Sequence, residues 1–332
     1  MKKRVPQIDA LYTIGIILAV LGHSHPSDWT LFARTPYETL IVFIYTFHMP
    51  LFFFLAGFTF YRSKRLTQTG YARWLSDKAA RLLIPYFALS VLAILPKSIL
   101  EGGVFGADLL NQLLSLLLRP RLGVWGHFWF LPALFTMYAL FGLWRQLAGQ
   151  HVRSADLRIV CAVTIAVYFL PLNANWLGLQ DLKTNLVFFA VGMLASQGKE
   201  PVSGEFAWFV RLAGCFCGVG LSILLFCRFN ENKSARLLMA LLMIFACCQA
   251  TAGVREHTLI RWLSAHALTI YLYSWPVQAV VMFLLLRIGV RWQAVSACMF
   301  GAGLVVPILM ICIYERAKRL HSRPIDLLLG VK

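Results

Sequence analysis

The sequence predicts an all-α protein: a polytopic membrane helix bundle of about ten transmembrane helices, with both termini in the cytoplasm. Three observations predict it. The chain of 332 residues is 59% hydrophobic and 14% charged, where soluble domains run at about 45–50% apolar and about 25% charged. Apolar runs recur at about the 20 residues that a helix needs to cross a bilayer. Most of the 31 lysines and arginines fall on alternate connecting segments, the asymmetry that marks cytoplasmic loops. The alternating pattern of an outer-membrane barrel is absent from the sequence.

The runs cover residues 8–27, 37–61, 79–99, 127–147, 157–173, 183–197, 207–227, 235–252, 267–288 and 293–314. The first follows Lys2, Lys3 and Arg4. No small-residue cleavage site comes after it, only HSHPSDW, so it is expected to be a retained helix. The second holds Pro50, which removes one backbone hydrogen bond and favours a kink. Arg73, Lys78 and Arg81 precede or open the third. Between the third and fourth, residues 100–126 place Leu109, Leu110, Leu113, Leu114, Leu116 and Leu117 on one broad face. That segment is expected as an interfacial or re-entrant helix on the outer side. The fifth and sixth runs are the shortest. No internal repeat is evident, and residues 1–332 read as one membrane domain.

The net charge of +17 needs no nucleic acid. A basic cytoplasmic face meets anionic lipid heads, and it would also attract an anionic donor such as a coenzyme A thioester. The eight cysteines, at 161, 215, 217, 227, 247, 248, 298 and 312, lie in or at the ends of apolar runs. They read as small packing residues, with neither a disulfide framework nor a metal-binding spacing.

Chemistry concentrates in the first two spans. IDALYTIGIILAVLGHSH carries Asp9 at one end and His23 at the other. At about 100° per residue, Tyr12 and His23 share one face about 16 Å apart, and Asp9 falls within about 40° of it. Gly15 and Ala19 lie on or near that face, which reads as a groove. Small residues also serve plain helix packing. An ionisable group inside a span is costly, however, and marks a functional candidate. Histidine is the side chain suited to move a proton near neutral pH. ETLIVFIYTFHMPLFFFLAGFTFY adds His48 near mid-membrane, with Glu38 and Tyr45 as further polar groups.

At these residues the sequence resembles the bacterial family-three membrane acyltransferases, polytopic O-acyltransferases of cell-surface glycans. Its branch looks like the sugar O-acetylases. The resemblance runs over about residues 7–315. It is carried by IDALYTIGIILAVLGHSH, TFHMPLFFFLAGF, RLLIPYF at 81–87, HFWFLPALF at 127–135 and IYLYSWPVQ at 270–278. It implies transfer of an acyl group, acetyl being the expected one, from cytoplasmic acyl-CoA to a hydroxyl of a glycan or lipid-linked sugar. It implies a bacterial inner-membrane location. It places an essential histidine at His23 and a second-span motif histidine at His48. Arg81 matches a basic residue ahead of the third span, where a guanidinium holds phosphate bidentately; anchoring by the positive-inside rule is the alternative. Tyr12 stands where the family usually has arginine or lysine, and Ser274 where its ninth span often has histidine.

On this reading His23 and His48 are the catalytic candidates. His23 would take the acceptor proton or carry the acyl group, and His48 would orient the site or stabilise the oxyanion. Arg81, Tyr12 and Asp9 are the candidates on the donor side, Asp9 more by helix capping or arginine pairing than by phosphate contact. Trp129, Tyr45, Lys183, Asn185, Ser274 and Tyr271 are the acceptor-side candidates. Trp125, Trp129 and His127 at the outer interface fit either a sugar face or the ordinary aromatic belt, and Lys183 either a cavity or a snorkelling position. The expected partners are membrane lipids, acyl-CoA and the sugar acceptor, with acetyl-CoA as donor and no metal. A proton-coupled transporter using His23, His48 and Asp9 as a relay, and a non-catalytic scaffold, are the competing classes. The missing repeat argues against the transporter.

Overall fold

The computed structural model describes residues 5–100, 107–123, 125–149, 153–172, 176–198, 206–317 and 322–330. Among them every regular element is helical and none is a strand. The α-helices are α1 (Pro6–Gly22), α2 (Pro36–Arg62), α3 (Arg65–Thr69), α4 (Tyr71–Leu100), α5 (Ala107–Leu118), α6 (Phe130–Ala148) and α7 (Ser154–Phe169). They continue as α8 (Leu179–Ala195), α9 (Ala207–Phe229), α10 (Lys233–Thr251), α11 (Thr258–Ala265), α12 (Ala267–Arg287), α13 (Trp292–Arg316) and α14 (Arg323–Leu329). Among the described residues six helices are long and apolar enough to cross a membrane: α2, α6 with its preceding turn, α9, α10, α12 and α13. The basic residues at 2–4, 199, 318, 319 and 332 lie outside the described residues.

The first run differs from its expected helix. The sequence reading carries that helix to residue 27, whereas α1 ends at Gly22. Pro26 disfavours helical backbone at the residue before it, and His23 and Ser24 fold back onto the last turn. Similarly α7 ends at Phe169, two residues before Pro171. In the stretch 100–126, α5 is helical, and its Leu110, Leu113, Leu114, Leu117 and Leu118 are exposed. Tyr86 Oη on α4 donates to Leu116 O at 2.7 Å, fastening α5.

The chain divides into two compact units, residues 1–55 with 199–320, and residues 56–198 with 321–332. In the first, α1 is the central strut. Its Leu11, Ile16, Ala19 and Val20 are buried, and it packs against α10, α11, α12 and α13. Gly218 lets α9 lie close on α10, since a Cβ there would stand 3.0 Å from Leu242 O. Elsewhere α9 exposes Trp208, Phe209, Phe216 and Leu224, a broad apolar surface. In the second unit Phe60, Trp74, Tyr138 and Phe189 form an aromatic core, and Phe141 stacks on Phe189 at 4.8 Å. Gly57 brings α2 against the backbone of Phe189 on α8, leaving no space for a side chain.

Candidate active site

A helix leaves its last four carbonyls without intrahelical partners, and a membrane interior offers little water to replace them. At the end of α1 each of the four has a partner. Ala19 O meets His23 Nδ1 at 2.8 Å. Val20 O accepts from Ser24 Oγ at 2.6 Å and from Gln278 Nε2, on α12, at 2.9 Å. Leu21 O accepts from the Ser24 amide at 3.0 Å. Gly22 O accepts from Tyr45 Oη, on α2, at 2.6 Å. Gly22 has no side chain, so the Tyr45 ring fits there; a Cβ would stand 3.1 Å from it.

These bonds fix the chemistry of the histidines. A carbonyl oxygen only accepts, so a ring nitrogen that bonds to one carries the proton. His23 therefore donates from Nδ1 to Ala19 O, and in its neutral form the lone pair is on Nε2. His48 repeats the arrangement one helix over, with Nδ1 2.9 Å from Ile44 O. It is buried, and its Nε2 has no hydrogen-bond partner among the described residues. The two rings stand edge to face, centroids 6.1 Å apart. Tyr45 lies beside both, at 5.7 Å from His23 and 5.4 Å from His48. Trp275 of α12 stands 5.7 Å from His23. His25 closes the group: its Nδ1 is 2.8 Å from Pro26 O, its Nε2 3.1 Å from Tyr45 Oη, and Trp29 packs on it at 4.6 Å.

His23, His48 and Tyr45 are thus brought together. The other first-unit candidates sit around them as follows. Tyr12 lies about three turns back along α1, with its ring 6.3 Å from Phe52. The small-residue face at Gly15 is filled by that Phe52 ring, which a Cβ at Gly15 would approach to 3.1 Å. Asp9 is buried and accepts from Ser264 Oγ at 2.7 Å, tying α1 to α11. Tyr271 and Ser274 are buried on α12, with Ser274 Oγ 3.4 Å from Tyr271 O.

The remaining candidates belong to the second unit. Arg81 on α4 has a buried Nε without a hydrogen-bond partner among the described residues. The Trp129 ring is buried under the Arg121 guanidinium at 4.0 Å, and Arg121 Nε in turn bonds Asp181 Oδ1 at 2.5 Å. Lys183 Nζ donates to Leu170 O and Leu172 O at 2.8 and 2.7 Å, fixing the chain just past the end of α7. Asn185 Nδ2 donates to Asp181 O at 2.8 Å. Trp125 lies 6.0 Å from the His127 ring.

Three site residues escaped the sequence reading: His25, Trp275 and Gln278. Trp275 and Gln278 stand four and seven residues after Tyr271, a helical spacing that puts them on its face. Polar residues at that spacing within IYLYSWPVQ are the signal that would have found Gln278.

The acyltransferase domain profile matches residues 5–313. The chain belongs to this acyltransferase family. Nodulation protein NolL of Sinorhizobium fredii (strain NBRC 101917 / NGR234) is 30% identical over 199 residues, which is 58% of this chain. The match spans about half of that relative, 49% of its length. No solved structure matches the chain. The cluster around the end of α1 brings two imidazoles together, each with its Nδ1 on a backbone carbonyl.

Proposed function

We propose that the protein moves an acyl group, acetyl in the first instance, from acyl-coenzyme A to a hydroxyl of a surface glycan or lipid-linked sugar. The observation that carries this reading is the His23–His48 pair in a member of an acyltransferase family, each ring held by its Nδ1 so that Nε2 is the base.

In the proposed step the hydroxyl oxygen attacks the thioester carbonyl carbon while His23 Nε2 takes the hydroxyl proton. The carbon–sulfur bond of the tetrahedral intermediate then breaks, and the thiolate recovers that proton from the His23 imidazolium. No net proton is gained or lost. A neutral His48 has no proton on Nε2 and so accepts rather than donates. It orients the acceptor by taking a hydrogen bond from a neighbouring sugar hydroxyl, and serves an oxyanion only once protonated. Ser274 and Tyr271 are the neutral polar groups of α12 on the acceptor side.

For the donor, the Arg81 guanidinium suits a phosphate of coenzyme A. Tyr12 lies on the donor side, and Asp9 acts by holding α11 to α1. The chain crosses a bacterial inner membrane ten times, with both termini in the cytoplasm.

The test supplies the purified protein in lipid nanodiscs with acetyl-coenzyme A labelled in the acetyl group, together with a soluble oligosaccharide. Wild type is expected to discharge the label, with covalent label on the sugar, and His23→Ala to lose that activity by about a hundredfold or more, the span of general-base catalysis. Equal discharge by wild type and the variant would contradict the reading.

A further inference from the structure

Gln278 of α12 is fully buried, and it lies 258 positions from the carbonyl it meets. Its Nε2 donates twice, to Val20 O at 2.9 Å and to Ser24 Oγ at 2.8 Å. Those two acceptors flank His23 on either side in the chain. Val20 O is an acceptor only, so the amide cannot be turned the other way round. Gly303 of α13 holds it from behind: a Cβ there would stand 2.8 Å from Nε2 and 2.9 Å from Cγ. The opposite half of the amide, Oε1, is buried with no hydrogen-bond partner among the described residues.

That arrangement is poor for stability. A buried carbonyl left without a donor lowers stability. An apolar side chain of the same length would avoid that cost, and Val20 O would still have Ser24 Oγ at 2.6 Å. What an apolar residue cannot do is clamp residues 20 and 24 to α12 and so hold the turn that aims His23. We infer that Gln278, seated on Gly303, is a positioning residue for His23, setting the direction of its imidazole for acyl transfer.

The kinetic part of this inference rests on the proposed acyl transfer; the geometric part does not. The experiment therefore reads both, on the full-length protein in nanodiscs. Gln278→Met keeps the length and removes the donor, and Gly303→Ala leaves Gln278 in place but pushes its amide. Each is assayed for turnover of acetyl-coenzyme A, for melting temperature, and for the rate at which diethyl pyrocarbonate modifies His23 relative to His48, resolved by peptide mass spectrometry.

Positioning predicts kcat down by about tenfold or more and KM for acetyl-coenzyme A within about twofold in both variants, with a melting temperature equal to or above wild type in Gln278→Met. Small misplacements of a reacting group cost this much and more. The His23 modification rate should change by about threefold or more in both variants while that of His48 holds. Unchanged labelling and turnover in Gln278→Met would overturn the inference. So would a kcat loss that merely tracks a lowered melting temperature, which is the mark of a structural residue. If wild type shows no turnover at all, the acyl-transfer reading fails, and the His23 labelling still decides whether Gln278 positions it.

Discussion

The end of α1 and the end of α2 solve the same problem with different chemistry. Arg145 closes α2: its Nη1 donates to Phe60 O and Tyr61 O at 3.1 Å each and to Ser63 O at 3.4 Å, while its guanidinium lies 5.0 Å over the Tyr61 ring. Lys183 does the same for the carbonyls of Leu170 and Leu172, just past the end of α7. A cation at a helix C-terminus complements the negative end of the dipole and brings several donors to one place. At α1 the partners are His23, Ser24, Tyr45 and Gln278, all neutral donors. The choice matters because arginine has no lone pair to offer. A neutral imidazole donates from one nitrogen and remains basic at the other. The difference teaches that a helix end can be satisfied while its cap keeps a second, titratable ring nitrogen, which a histidine has and an arginine lacks.

The sharpest way to separate cap from base is His23→Gln. Glutamine can still donate to Ala19 O but offers no comparable base. Turnover is expected to fall by about 10² or more while the melting temperature stays close to wild type. Loss of both together would mean that His23 is mainly a cap.

Arg145→Met should show the reverse. Removing a cation that bonds three carbonyls costs about 1–3 kcal/mol, read as a lower denaturation midpoint. The kcat of the molecules that remain folded is expected within about twofold of wild type. A selective loss of kcat would place Arg145 in the chemistry and erase the contrast between the two helix ends.

The smallest effect belongs to Asp9→Asn. The Asn oxygen can accept from Ser264 Oγ as the carboxylate does, so stability should move by less than about 1 kcal/mol and turnover by less than about threefold. A large loss of turnover would give the Asp9 charge a role that its hydrogen bond to α11 does not.

Much of the fold was legible because membrane-capable helices announce themselves by length and apolarity, as at 37–61, 207–227 and 293–314. Helix ends were less so. The twenty-residue rule drew the first helix to residue 27, against the signal of Pro26, and the end at Gly22 depends on partners from α2 and α12. His23 and His48 stood out because ionisable groups in apolar runs are costly. Their pairing did not follow from residue counting, which separates them in depth by about 9 Å, whereas the rings stand 6.1 Å apart. Gln278 and Trp275 reach the site over some 250 residues, and Arg145 reads in the sequence as one more positive-inside residue. Contacts of that range leave no local pattern.

The central claim is that His23 and His48 donate from Nδ1 and are basic at Nε2. It is tested most directly by nitrogen-15 NMR of histidine-labelled protein in bilayers at neutral pH, with His23→Gln and His48→Gln used to assign the signals. The account predicts a neutral ring for each, protonated at Nδ1 and bare at Nε2. A proton resting on Nε2 of His23 in the free protein would contradict it, because that nitrogen would have no lone pair with which to take the acceptor's proton.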